Sequence, residues 1–212
     1  MIKNILFDLG AVLINLDLKR TYEAFQLLAG SPEKHTEINS KLAEGRFFDR
    51  YETGDFDEEF FILMLQQYTI MPTGRMGIVN AWNAMLLDIP SERIAFLKKL
   101  KMQNYNLLLL SNTNETHLKA INKQMREVYN LNTLDFLFDK AYYSHLLKLR
   151  KPDPACFQAV LNDSGYLASE TLFIDDNMGN IATANKMGFE TILHIPNSDI
   201  INSISSKLGI IE

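Results

Sequence analysis

Asp175 and Asp176 stand side by side after the apolar run 171–174, and Asp8 follows a similar run at 5–7. Adjacent carboxylates behind a buried strand repel each other unless a cation or strong donors sit nearby. On neighbouring strands the three could share a hard cation through oxygen ligands. Mg²⁺ fits best, because it keeps several waters and takes few carboxylates. Such a cation would neutralise both the carboxylates and an incoming phosphate, so that an anionic nucleophile could approach an anionic group. Lys151, in Arg-Lys-Pro-Asp-Pro at 150–154, adds a point charge for that phosphate. Ser111 and Asn112, in Leu-Ser-Asn-Thr-Asn at 110–114, add polar donors, with backbone N–H groups at the start of the next helix. A carboxylate nucleophile, a metal, a lysine and a hydroxyl suit phosphoryl transfer through an aspartyl-phosphate on Asp8.

These groups form one site only if strand ends meet. Short apolar runs at 3–8, 107–110, 171–174 and 191–195, with a weaker one at 140–143, fit strands buried on both faces of a parallel sheet. Helical patterns lie between them. Ile94, Leu97 and Leu100 share a face, as do Phe157, Val160 and Leu161, and Ile181, Ala184 and Met187, with Gly188 as a C-terminal cap. The alternation predicts an α/β fold, a Rossmann-like parallel sheet covered on both sides, with ligands outside the carboxyl ends of its strands. Asp153 and Pro154 suit the N-cap and first position of a helix. From Leu18 to Leu87 only helical periodicity appears, with Asp55 or Asp57 as an internal N-cap. A helical block inserted there would cover the carboxyl end of the sheet. The expected division is a core of 1–16 and 88–212 and a helical cap of 17–87.

Composition narrows the function classes. The 212 residues are 47% hydrophobic and 22% charged, with a net charge of −5 that argues against nucleic acid as partner. The lone cysteine, Cys156, suits a reducing compartment and reads as an apolar helix-face residue. No membrane-length apolar run and no leader-like pattern occur, so the expected location is cytoplasmic.

In this order, Phe-Asp-Leu-Gly at 7–10, Leu-Ser-Asn at 110–112, Lys-Pro at 151–152 and Asp-Asp at 175–176 resemble the four motifs of the haloacid dehalogenase superfamily. The resemblance runs over essentially the whole chain, and the helical insert matches the family's cap. It implies a Rossmann-like core, Asp8 as nucleophile, Mg²⁺ and a small phosphorylated substrate. By the family pattern Asp8, the Gly10 carbonyl and Asp176 bind the metal, with Asp175 in its inner or outer shell.

One position departs. Most phosphatases of this superfamily carry a second Asp two residues after the nucleophile, as general acid and base; here it is Gly10. General acid–base catalysis contributes about 10²–10⁴-fold, so another group must fill the step or the leaving group must not need it. Asp17, Asp49 and Glu52 are nearby in sequence and read first as solvated surface. Arg46, Phe47, Phe48 and Tyr51 form an aromatic–basic cluster that could face the substrate, but its aromatic residues, like Trp82, read first as core, and His117 and His145 as structural. The wider pattern looks most like a bacterial subgroup that includes alpha-D-glucose-1-phosphate phosphatases, and an anomeric oxygen is a better leaving group than an ordinary alcohol. Two other readings compete. Carbon–halogen hydrolysis needs no metal and gives no reason for the Asp175–Asp176 pair, and a binding protein could have lost turnover with the second Asp.

Overall fold

Residues 1–44, 46–70, 73–196 and 198–210 are described in a computed structural model. The chain opens with strand β1 (Asn4–Phe7), then runs through helices α1 (Leu18–Ala29), α2 (Pro32–Ala43), α3 (Arg46–Glu52), α4 (Glu58–Gln66) and α5 (Arg75–Asn83). Helices and strands then alternate: α6 (Ser91–Met102), β2 (Asn106–Ser111), α7 (Glu115–Tyr129), β3 (Lys140–Tyr143), the single turn α8 (Ser144–Leu147) and α9 (Pro154–Ser164). The remainder is β4 (Thr171–Asp175), α10 (Met178–Lys186), β5 (Glu190–Leu193) and α11 (Ile200–Leu208).

Among the described residues the strands form one parallel sheet in the order β3-β2-β1-β4-β5. The apolar runs are continuous because both faces of the sheet are covered. Ile5, Phe7, Leu107, Leu109, Leu172 and Ile174 point to one face and pack with residues of α6, α7 and α11. Leu6, Leu108, Leu110 and Phe173 point to the other, where Cys156, Phe157 and Val160 of α9 meet Ile181 and Ala184 of α10. The edge strand β5 is the least buried, and it runs two residues short of the expected 195.

The caps follow side-chain chemistry. Asp57 rather than Asp55 caps α4, accepting from Phe60 N–H at 2.9 Å, while Asp55 pairs with Arg50. Asp153 caps α9 with Pro154 at its first position, and Gly188 takes φ +89° just beyond α10. Asn114 caps α7, accepting from His117 N–H at 3.0 Å.

Helices α1–α5 bury an apolar cluster of their own around Phe25, Tyr51, Phe61, Ile78 and Trp82. Its aromatic rings stack, Tyr51 on Phe61 at 4.2 Å and Phe48 on Trp82 at 4.9 Å. Phe48, Tyr51 and Trp82 are thus core residues, as their helical spacing suggested. The chain enters and leaves this block side by side: Leu16 bridges Leu86, and Asn15 N–H donates to the Asp88 carbonyl. Against α7, Tyr51 Oη meets Thr116 Oγ1 at 2.6 Å, Trp82 Nε1 donates to Asn114 Oδ1 at 3.2 Å, and Trp82 stacks on His117. Burial pushes the His117 imidazole down to about 4, against the Trp82 carbonyl, so this histidine stays neutral and structural. No described helix is long and apolar enough to cross a membrane.

Phe61 has no exposure and touches several rings, so Phe61→Ala leaves a cavity the stack cannot close. The expected loss is about 3–5 kcal/mol, read as a lower urea midpoint.

Candidate active site

All strands point the same way, so their carboxyl ends lie along one edge of the sheet. Phe7 pairs in register with Leu109 and Ile174, and one step further along come Asp8 on β1 and Asp175 on β4. Ser111 closes β2 next to them, only 2% exposed. Lys151 enters from the loop between α8 and α9, and its Nζ lies 2.6 Å from Asp8 Oδ1 and 2.7 Å from Asp175 Oδ2. The same ammonium stands 5.5 Å over the ring of Phe173. Asp8, Asp175 and Asp176 each offer a carboxylate oxygen within 4.8 Å of the others.

Charge is crowded here. Burial pushes the Asp8 carboxyl up to about 7; Lys151 opposes this and Asp175 adds to it. Asp176 is also raised, by burial and then by Asp175. Burial works against the Lys151 ammonium, but Asp8 and Asp175 together outweigh it and hold the lysine charged. Three carboxylates facing one ammonium leave negative charge unmatched, and every donor atom is a hard oxygen. That set fits a divalent cation of the magnesium type.

The loop after Asp8 is held from several sides. Arg93 Nη1 donates to the Leu13 carbonyl at 3.2 Å and to Asn15 Oδ1 at 3.0 Å. Ala11 adopts φ +56°, whereas Gly10 does not need the left-handed region. A Cβ on Gly10 would lie 3.0 Å from Leu16 Cδ1, a tight contact that a small shift of the leucine tip would relieve.

The family model described as haloacid dehalogenase-like hydrolase matches residues 2–188. The chain belongs to this family. It is 30% identical over 192 residues to a D-ribitol-5-phosphate phosphatase of Bacteroides thetaiotaomicron, covering 90% of this chain and 91% of that one. It is similar to a predicted HAD-like family hydrolase from Porphyromonas gingivalis, with a TM-score of 0.87 and 33% identity over 98% of each chain. A HAD family enzyme of B. thetaiotaomicron in its magnesium complex gives a TM-score of 0.86 at 33% identity, covering 96% of this chain and 98% of that one.

Within this HAD-like fold, Asp8, Gly10, Ser111, Lys151, Asp175 and Asp176 come together at one strand edge, as their motifs suggested. Asn112 has a different partner from the one expected. Its Oδ1 accepts from Lys151 N–H and its Nδ2 donates to the Lys151 carbonyl, both at 2.8 Å, so its amide fixes the lysine's backbone. Asn180 and His194 had no motif to announce them, Arg150 stood in the Arg-Lys-Pro run without a role, and Glu52 read first as surface. Asn180, one turn into α10, donates to both oxygens of Asp175 at 3.0 Å. Arg150 reaches α3, placing Nη1 2.9 Å from Asp49 and Nη2 2.8 Å from Glu52. Glu52 is therefore seated against the core and not solvated. His194 is 2% exposed, its Nε2 lacks a hydrogen-bond partner among the described residues, and its ring lies near Ala11 and Arg93. Asn180 sits one helical turn past the Asp pair, a spacing the sequence did show; the other three are tertiary contacts.

The raised Asp8 carboxyl has a stability consequence. Its folded value lies above its unfolded one, so the native state binds the proton more tightly and loses stability as pH rises from about 4 towards 7. In chelator at pH 8, Asp8→Asn is expected to melt at a higher temperature than wild type. The gain should shrink below pH 5. Thermal denaturation across pH checks this.

Proposed function

We propose that this chain is a magnesium-dependent phosphatase acting on a small phosphorylated metabolite, with Asp8 as nucleophile and helices α1–α5 (17–87) as a cap over a core of 1–16 and 88–212. The observation that carries the reading is the buried Lys151 ammonium between Asp8 and Asp175, inside a three-carboxylate cluster. A lysine so placed holds the Asp8 carboxylate in one orientation and leaves its other oxygen for attack. The Asp8 oxygen forms a bond to phosphorus as the ester P–O bond breaks and the alcohol leaves. Water then attacks the same phosphorus, releasing phosphate and restoring the carboxylate. Asp8, the Gly10 carbonyl and Asp176, with Asp175, are the residues that would hold Mg²⁺. When bound, it supplies the positive charge that lets a carboxylate approach a phosphate. Ser111 and the amides at the start of α7 suit the phosphate oxygens, and Asn112 positions Lys151.

The relative that acts on D-ribitol 5-phosphate supports a sugar or polyol phosphate as the substrate class. With glycine at position 10 in place of an acid, protonation of the leaving oxygen is the weak step. Esters with better leaving groups are expected to turn over faster. Sugar 1-phosphates and aryl or acyl phosphates should exceed sugar 6-phosphates in kcat/KM; the reverse order overturns the leaving-group argument.

Phosphate release from a metabolite panel, with Mg²⁺ and with chelator, tests the whole reading. Turnover should require the metal and vanish in Asp8→Asn, and Lys151→Met should lower kcat by about 10²–10³-fold. Metal binding with silence on every ester would favour a binding protein. Turnover of 2-haloacids in chelator would favour the dehalogenase reading.

A further inference from the structure

His194 follows β5 and is 2% exposed, a buried histidine that the proposed phosphoryl transfer leaves unused. Its backbone N–H donates to the Asp175 carbonyl at 2.9 Å, which continues the pairing of β4 with β5. The residue is thereby seated beside the strand ends that carry the site. On its ring, Nδ1 lies 3.4 Å from Ser198 Oγ, while Nε2 is buried with no hydrogen-bond partner among the described residues. A serine hydroxyl can donate to Nδ1, and the single proton of a neutral imidazole then sits on Nε2. Burial and the Arg93 guanidinium push this imidazole down, so it is neutral at pH 7; the Ala11 backbone beside it works the other way, as a carbonyl facing a ring N–H does. Ala11 itself carries φ +56°, a left-handed conformation that a residue with a Cβ keeps only where its surroundings hold it. Leu13 and Ile14 N–H both donate to the Leu9 carbonyl at 2.9 Å, and Arg93 donates to the Leu13 carbonyl. These bonds close the loop on either side of Ala11, and none of them grips Ala11.

We propose that His194 is a positioning residue whose Nε2–H donates to the Ala11 carbonyl and so fixes the turn that presents the Gly10 carbonyl to the metal. The inference rests on the magnesium-dependent reading, in which that carbonyl is a ligand, and deepens it. A buried N–H left without an acceptor is costly, and the Ala11 carbonyl is the acceptor its surroundings offer. The Gly10 and Ala11 carbonyls belong to successive peptide units, so a clamp on one limits rotation of the other. A carboxylate ligand can adjust by turning its side chain; a carbonyl ligand is aimed by the backbone alone. Groups that orient a metal's ligands in this way contribute to its affinity without touching it.

Calorimetric titration of Mg²⁺ into the purified protein tests this without turnover. His194→Phe keeps a ring of similar size and removes the donor; it is expected to bind Mg²⁺ about 10–100-fold more weakly than wild type. His194→Gln puts an amide N–H near the place of Nε2 and should recover affinity to within about threefold of wild type. A role in packing alone predicts the opposite order, with the phenylalanine variant close to wild type. Equal affinity in the two variants, or unchanged affinity in His194→Phe, would overturn the proposal. Should neither variant fold, nitrogen NMR of the wild-type histidines still decides. His194 is expected as the Nε2–H tautomer, with a ring proton whose shift moves when Mg²⁺ is added. The Nδ1–H tautomer, or a signal indifferent to the metal, counts against His194. Asp176→Asn separates the two readings. If wild type takes up no Mg²⁺, or this substitution leaves uptake unchanged, the metal reading falls and the inference with it. If the substitution abolishes uptake while His194→Phe does not weaken it, only the assignment to His194 falls.

Discussion

The Lys151 ammonium is almost wholly withdrawn from solvent, with 1% of its side chain exposed, and it is held by two carboxylates that are themselves enclosed. Burying one charge is unfavourable, and burying three is worse unless they are arranged to satisfy each other. Much of the surrounding structure serves that arrangement. Asn112 clamps the lysine's backbone, Asn180 and the Asn177 amide hold Asp175, and Phe173 offers its ring face to the ammonium. Each removes a freedom that would otherwise let the charges drift towards water. The site's order comes from a charge problem the fold has to solve, and the same enclosure raises the Asp8 carboxyl.

The sheet was legible because burial on both faces leaves a plain trace: apolar runs ending in polar clusters at 8, 111 and 175. The helical block was legible for the opposite reason, a long stretch with helical period and no such run. What stayed hidden was pairing across sequence distance. Asn112 and Lys151 are 39 residues apart, and Arg150 and Glu52 are 98 apart. Nothing in the local pattern of Asn112 separates an amide that holds a ligand from one that holds a neighbouring backbone, since both need the same donor and acceptor. Glu52 read as surface because a carboxylate at the end of a short helix usually is; the guanidinium that changes this arrives from the loop between α8 and α9. Asp8 and Asp175 escaped that ambiguity, because residue type and strand-end position pointed the same way.

Gly10 ties the chemistry to the hinge. The space beside it is filled by Leu16, and Leu16 pairs with Leu86 where the chain enters and leaves the cap. A carboxylate at position 10 would therefore press on the side chain that seats the cap's two connections.

The cap's own packing bears on how a substrate enters. Asp8, Ser111, Lys151 and Asp175 are all buried, Asp8 keeping 8% exposure. Yet the apolar cluster of α1–α5 draws its buried members from 25–82 alone, with no core-domain residue among them. The seam instead uses polar links: Tyr51 to Thr116, Trp82 to Asn114, Glu58 to Lys119, and Arg150 to Asp49 and Glu52. Breaking such bonds in water exchanges them for hydration at a net cost of about 0.5–1.5 kcal/mol each, whereas opening a shared apolar core would expose buried surface outright. Helices α1–α5 thus keep their fold through contacts of their own and meet the rest of the chain through bonds that are individually cheap to break.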